Sequence, residues 1–280
     1  MISRTEAVNR AKGWAERRAK RAIRRRLLHG HYRSTRVHYA PTTGRETPVF
    51  MCLWNRPSRL IDMLESLDAQ DHPDGVTFHI WNNNKLDHEH YLEVVRGFRP
   101  RGALREVQLV KTPYNLGSMG RFYLAREHAA HNGAGPSIVI DDDENIQPGF
   151  VSAARAAYSP TTVAAWWAFE VGRNYYDRRP AVVGGPVDHV GPGGMVCDSS
   201  LYLDDDFFTT LPEQYWFVDD LWFTWFAKHR GLTLTKLDVE VEFVMDETNQ
   251  SYGLFDAKLA FFDQLYPELV GTPPRFEFPE

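Results

Sequence analysis

The sequence predicts an α/β protein, a three-layer α/β/α arrangement with a mostly parallel central sheet, preceded by a basic N-terminal helix. Three observations predict it. Short apolar, β-branched runs alternate with helix-period stretches between about residues 48 and 140. The runs are nearly continuously apolar, as in strands covered on both faces, whereas half-exposed strands alternate. Each run also ends in a polar group: Asn55-Arg56, Asn82-Asn-Asn84, Asn115-Leu-Gly-Ser118 and Asp141-Asp-Asp143.

The first element is a helix from about Thr5 to Leu28. Val8, Ala11, Ala15, Ala19, Ala22, Ile23 and Leu27 recur at three-to-four spacing, with arginines on the other faces. Residues 1–40 carry 12 Lys+Arg against Glu6 and Glu16, a balance of +10, while the remaining 240 hold 20 Lys+Arg against 35 acids. Such an arm packs on the acidic body, or grips phosphates on DNA or on an anionic membrane surface. An Arg-rich, acid-poor start also suits a transit peptide. The arm is assigned to residues 1–44, closed by the turn-rich Ala40-Pro-Thr-Thr-Gly44.

The body begins with Pro48-Val-Phe-Met-Cys-Leu-Trp54, read as a central parallel strand. Leu60, Met63, Leu64 and Leu67 then mark a helix with one buried stripe. Val76–Trp81 predicts the second strand, Tyr91–Phe98 a helix, Leu104–Val110 the third strand, Met119–Asn132 a helix and Ser137–Ile140 the fourth strand. Successive parallel strands joined by helices cross over with one hand, so all four polar ends meet at one edge of the sheet. Beyond Phe150 the alternation loosens. A helix near Phe217–Gly231 and strands within Thr233–Val244 are expected, giving a second half at 151–245 and a tail at 246–280.

Composition limits the function classes. With 43% hydrophobic and 25% charged residues, the chain reads as an ordinary globular protein. It has no apolar run of the roughly 18 residues a membrane span requires. Cys52 and Cys197 are too few for a disulfide framework, which points to a reducing, cytoplasmic setting, with peripheral membrane or nucleic-acid association through the arm. No Gly-x-Gly-x-x-Gly follows the first strand, and neither a P-loop nor a Gly-x-Ser-x-Gly elbow occurs.

At the sheet edge, Asp141 and Asp143 are oxygen donors two residues apart, a spacing that presents both to one hard cation such as Mg²⁺ or Mn²⁺. A solvated acidic loop, or the first turn of a helix, uses the same residues.

Together the motifs resemble nucleotide-sugar glycosyltransferases of the GT-A, Rossmann-like fold, particularly the inverting family 2 type. The likeness lies in Val49-Phe-Met-Cys-Leu-Trp-Asn-Arg-Pro57, Asn115-Leu-Gly-Ser-Met-Gly-Arg121, Ile138-Val-Ile-Asp-Asp-Asp143 with Pro148-Gly-Phe150, and Phe217-Val-Asp-Asp-Leu221 with Gly231 behind it. These occur in order over about residues 48–235. The resemblance implies a nucleotide-sugar-binding half at 45–150 and an acceptor-binding half at 151–245. It also implies a UDP-sugar as the first expectation for the donor and a hydroxyl-bearing acceptor, for which the basic arm adds a polyanion such as DNA bearing hydroxymethyl bases beside lipid-linked and polysaccharide glycans. Trp54, Asn55, Arg56, Asn82 and Asn83 would line the nucleotide pocket, and Asp141 and Asp143 would serve ribose, phosphates and a Mn²⁺ or Mg²⁺ ion through a DXD motif. Asp220 would be the general base, with Asp219 at the preceding acidic position. Arg121 would reach the diphosphate or pair with the acids, and Gly194 would let the donor sugar approach the backbone or simply form a turn. Tyr215, Trp216, Trp222 and Trp225 would stack on a sugar or belong to the core.

The chain departs from that pattern in three places. It has Asn82-Asn-Asn84 where relatives often place Asp, Asp219 in place of Glu, and no His after Gly231, for which Asp246 or water would substitute. A nucleotidyltransferase on a related sheet, and a noncatalytic nucleic-acid or membrane-surface protein, are the other readings. The first would carry a Gly-rich basic loop after the opening strand, where Trp54-Asn-Arg-Pro-Ser58 stands.

Overall fold

The computed structural model describes residues 4–244 and 253–269, so Asp246 lies outside the described residues. In chain order the elements are α1 (Arg4–Leu28), β1 (Arg33–His38), β2 (Thr47–Leu53), α2 (Arg59–Asp68), β3 (Val76–Asn82), α3 (His88–Gly97), β4 (Leu104–Lys111), α4 (Met119–Asn132) and β5 (Pro136–Val139). They continue with β6 (Glu144–Ile146), α5 (Phe150–Ala157), β7 (Thr162–Ala165), β8 (Ala168–Val171), β9 (Arg178–Pro180), β10 (His189–Val190), β11 (Met195–Asp198), α6 (Asp206–Thr209), α7 (Asp219–His229), β12 (Thr233–Lys236), β13 (Val241–Phe243) and α8 (Phe255–Leu269).

The main sheet runs in the order β1-β4-β3-β2-β5-β11-β7-β12. Strands β4, β3, β2 and β5 are parallel, and the antiparallel β11 fastens β5 to β7. The chain builds outward from β2 to β3 and β4, then returns to place β5 on the other side. The resulting change of direction between β2 and β5 opens a crevice at their carboxyl ends.

Both faces of the sheet are covered, as the apolar runs require. Val49, Met51 and Leu53 of β2 belong to one core cluster and Phe50 to the other. Leu60, Met63, Leu64 and Leu67 of α2 are all at most 1% exposed. Each such side chain contributes roughly 1.5–3 kcal/mol on burial.

Two elements differ from the sequence reading. Arg33–His38, assigned to the basic arm, is an edge strand of the main sheet, antiparallel to β4 from Arg33↔Lys111 to His38↔Glu106. Its charged, half-exposed character is one way a sheet edge resists pairing with other chains. In the segment read as a tail, α8 packs on α7, and its Phe261, Phe262 and Leu265 join the same core cluster as Leu221 and Trp222 of α7. No described helix is long and apolar enough to cross a membrane.

Candidate active site

A cleft of about 660 Å³ lies at the carboxyl ends of β2 and β5. Each wall follows from a local feature. After β2 the backbone turns sharply at Asn55, the only non-glycine with positive φ (53°) among the described residues. That turn directs Arg56 inward while leaving Asn55 exposed, with its Oδ1 accepting from Asn84 Nδ2 at 2.9 Å. Trp54 and Arg56 line the cleft.

The acids after β5 are neutralised in different ways. Asp142 is buried, accepts the Trp54 backbone N–H at 3.0 Å and pairs with Arg56. Burial outweighs these contacts and pushes its pKa up to about 7. Asp143 lies 3.4 Å from Arg56 Nη2, and burial together with Asp141 raises it to about 6. Glu144, 1% exposed, accepts the Asp141 N–H at 3.0 Å, and burial followed by the Asp141 charge pushes it well above the carboxylate range. Asp141 pairs with Arg121.

Arg121, only 1% exposed, joins this cluster to the second acidic pair through Asp219 Oδ2 at 2.7 Å. It therefore contacts the acids, and its buried Nε has no hydrogen-bond partner among the described residues. Trp54 Nε1 and Arg178 Nη1 are likewise buried without partners, and all three residues line the cleft. Such donors carry a desolvation cost that an anionic or oxygen-rich ligand would remove.

Asp219 and Asp220 open α7 and face the same cleft. Burial raises the pKa of Asp219 against the pull of Arg121. Asp220 behaves oppositely. Burial would raise it, but the Lys258 ammonium, 2.9 Å from Oδ2, and the Tyr175 hydroxyl hold it well below the usual carboxylate range. Its Oδ1 accepts the Leu221 N–H at 2.9 Å.

Of the other sequence-predicted residues, Asn83 lines the cleft and ties the two neighbouring loops together. Its Nδ2 donates to Gly117 O at 2.8 Å, and its Oδ1 accepts the Leu116 N–H at 3.0 Å. Gly117 has φ +59° and passes under Phe217, where a Cβ would lie 2.6 Å from the ring. Asn82 is fully buried and turns back to the Asn84 N–H at 2.8 Å, so it does not line the cleft. Gly194 is a turn residue whose carbonyl accepts the Trp166 N–H at 2.8 Å. It is Gly193 that meets the acids, since a Cβ there would overlap Glu144 and sit 2.8 Å from Asp141 Oδ2. Trp216 and Trp222 are core residues, with Nε1 atoms donating to Leu116 O and Phe207 O. Tyr215 stacks on Phe261, and Trp225 on Trp222 and His229. The aromatic walls are instead Trp167, Tyr175, Tyr176, Phe217, Phe243 and Phe255.

Sequence reasoning missed Tyr175 and Lys258. Apolar spacing of Ala257, Phe261, Phe262 and Leu265 carries the signal for α8, and Lys258 lies on the face one turn before Phe261 and Phe262. For Tyr175 no comparable pattern exists. Among the described residues, no group of three His, Cys, Asp or Glu side chains is arranged to hold a metal ion.

No family model and no curated protein matches the sequence. Solved structures of S. aureus TarS are similar in fold. The 1-349 fragment in complex with UDP-GlcNAc has a TM-score of 0.49 at 15% identity, covering 83% of this chain and 68% of that one. The same fragment with UDP gives 0.45 at 15%, covering 70% and 58%, and TarS itself 0.46 at 16%, covering 82% and 44%. The chain thus spans 58% of the length of the UDP-bound fragment.

Proposed function

We propose that the protein is a glycosyltransferase that moves a sugar from a nucleoside diphosphate sugar, foremost a UDP-sugar, to a hydroxyl acceptor with inversion. One observation carries this reading: Asp141 and Asp143 after β5, and Asp219 and Asp220 at the start of α7, share one cleft and are joined by Arg121. A carboxylate at the helix start takes the acceptor proton. The acceptor oxygen forms a bond to the anomeric carbon, and the diphosphate departs with the electron pair of the broken C–O bond. Arg56, Trp54 and Asn83 form the donor side of the cleft, and the aromatic walls suit a sugar ring.

Asp141 and Asp143 fit a hard divalent cation of the kind held by one or two carboxylates and shared with substrate phosphates. Such an ion supplies charge neutralisation to the leaving diphosphate. The unpartnered Arg121 Nε and Arg178 Nη1 suit the same anion.

Asp220 is the base on the motif's order. A second reading assigns the base to Asp219, because Asp220 is occupied by Lys258, Tyr175 and the Leu221 N–H, while burial makes Asp219 the stronger base. Comparing turnover of Asp219→Asn and Asp220→Asn separates them.

A thermal-shift panel of nucleoside diphosphates with and without Mn²⁺ tests the proposal, since a ligand that binds the native state raises apparent stability. A Mn²⁺-dependent shift with one base, lost in Asp143→Ala, is expected. No shift with any nucleotide refutes it.

A further inference from the structure

A second cavity, of about 740 Å³, lies where α1 meets the body. Its floor is apolar, with Leu27 and Tyr32. Its rim is basic, with Arg26 from the end of α1, Arg33 from β1, Lys85 from the loop after β3 and Lys111 from the end of β4. Four separate segments thus bring cations to one opening. Lys111 pairs with Glu89 at 3.2 Å, and Glu89 is itself 75% exposed. Arg26, Arg33 and Lys85 have no acidic partner among the described residues, although the chain has five more acids than Lys+Arg. Like charges gathered without counterions repel, so this rim is stabilised when an anion enters it.

The exposed part of α1 extends the same field. Arg17, Arg21 and Arg25 fall on one stripe, about 6 Å apart per step at 1.5 Å per residue, and Arg21 also lies 3.9 Å from Glu213. Ala11, Ala15, Ala19 and Ala22 are also exposed, and Trp14 is the large apolar side chain there, at 58%. A helix exposing alanines and arginines has little to insert into lipid. Arginines interleaved with one aromatic ring suit a phosphate backbone and its bases.

Two loops serve both the cavity and the cleft. The loop after β3 gives Asn83 to the cleft and Lys85 to the cavity, and the loop after β4 gives Asn115 to one and Pro113 to the other. In the order β1-β4-β3-β2-β5, Lys85 stands two strands from the acids, Lys111 three and Arg33 four, about 10–20 Å at the usual strand spacing.

We propose that this cavity and the α1 stripe seat the phosphodiester backbone of a nucleic acid, holding it so that a hydroxyl on a neighbouring nucleotide reaches the cleft. The seat stands on its own charges, and its role in presenting the acceptor rests on the proposed glycosyl transfer.

Fluorescence anisotropy of a labelled DNA duplex with the full-length protein, over a salt series, tests it. Arg33→Glu/Lys85→Glu is compared with Arg99→Glu/Arg101→Glu, which lies before β4 at the opposite edge of the sheet. Each phosphate contact contributes about 0.9 to the slope of log affinity against log salt. The rim variant should therefore lose roughly two in slope and on the order of tenfold or more in affinity, while the control stays within about twofold. Unchanged binding by the rim variant overturns the proposal. So does binding to anionic phospholipid vesicles in place of DNA, or full displacement of DNA by inorganic phosphate at matched ionic strength. The UDP and Mn²⁺ thermal shift is kept in the rim variant, whereas Asp143→Ala loses that shift and keeps DNA binding. Failure of the seat and failure of the donor reading are thus read separately.

Discussion

Replacing Lys258 with Met keeps most of the side-chain stem and removes the ammonium that lies 2.9 Å from Asp220 Oδ2 and 3.1 Å from the Tyr175 hydroxyl. Asp220 is 9% exposed, and its carboxylate is left with two neutral donors, the Tyr175 hydroxyl and the Leu221 N–H, in place of a cation. Removing one partner of a buried pair costs about 3–5 kcal/mol. At this chain length that lowers the melting temperature by on the order of 10 °C. The sign with pH follows from the direction of the shift. A carboxyl whose folded pKa is depressed contributes stability above its unfolded pKa, about 3.9, and loses it as pH falls through the folded value. The gap between wild type and Lys258→Met should therefore be full at pH 7 and narrow below about pH 4. Without its cation the Asp220 pKa rises, and the acidic limb of the pH–rate profile moves up with it if Asp220 is the base. Thermal melts across pH, with donor turnover beside them, make the measurement. A melting temperature within about 1 °C of wild type at pH 7 would show that Lys258 and Asp220 are not coupled, and the reasoning would fail.

Two further outcomes are expected. Gly193→Ala forces a methyl against Glu144 and Asp141 and should destabilise by about 1–3 kcal/mol while weakening the UDP and Mn²⁺ shift; a variant with normal stability and normal shift would count against that packing. Burial lowers His79 and His189 to about 3 and His128 to about 4, so stability is complete above the unfolded pKa of about 6.5 and is lost as pH falls toward 4. His79→Gln should lose less stability than wild type between pH 6.5 and 4, and an equal loss in both would refute the assignment.

The central strands were legible because they are buried on both faces, which leaves a continuous apolar run and little ambiguity. Their order was not, since nothing local says that β5 returns beside β2. β1 was read as part of the arm because an edge strand can be built from Arg, Ser and Thr, the composition of a loop. At the site, residue type pointed to Asp141 and Asp143, and the family resemblance to Asp219, Asp220 and Arg121; all five line one cleft. Residue type does not give orientation. Asn82 and Asn83 are adjacent and chemically identical, yet the strand pleat sends one toward the turn and the other into the cleft. Lys258 approaches from 38 residues beyond Asp220, a contact made by α8 folding back on α7.

The acid cluster gives a sharper test, because its members are held unequally. Asp142 has both Arg56 and the Trp54 N–H, Asp141 has Arg121, and Glu144 is driven toward its neutral form by burial. Asp143 has the longest contact, 3.4 Å to Arg56. An incoming cation therefore displaces least at Asp143 and gains most there. Asp142→Ala removes a buried carboxylate that pairs with the buried Arg56 and should cost about 3–5 kcal/mol. Asp143→Ala should cost about 1 kcal/mol or less, because it gives up one long contact and relieves repulsion within the cluster. The nucleotide response should rank in reverse: the UDP and Mn²⁺ shift disappears in Asp143→Ala and survives, from a lower starting temperature, in Asp142→Ala. If the two variants lost stability equally and lost the shift equally, the acids would act as one undivided cluster, and the division into a structural Asp142 and a ligand-facing Asp143 would be wrong.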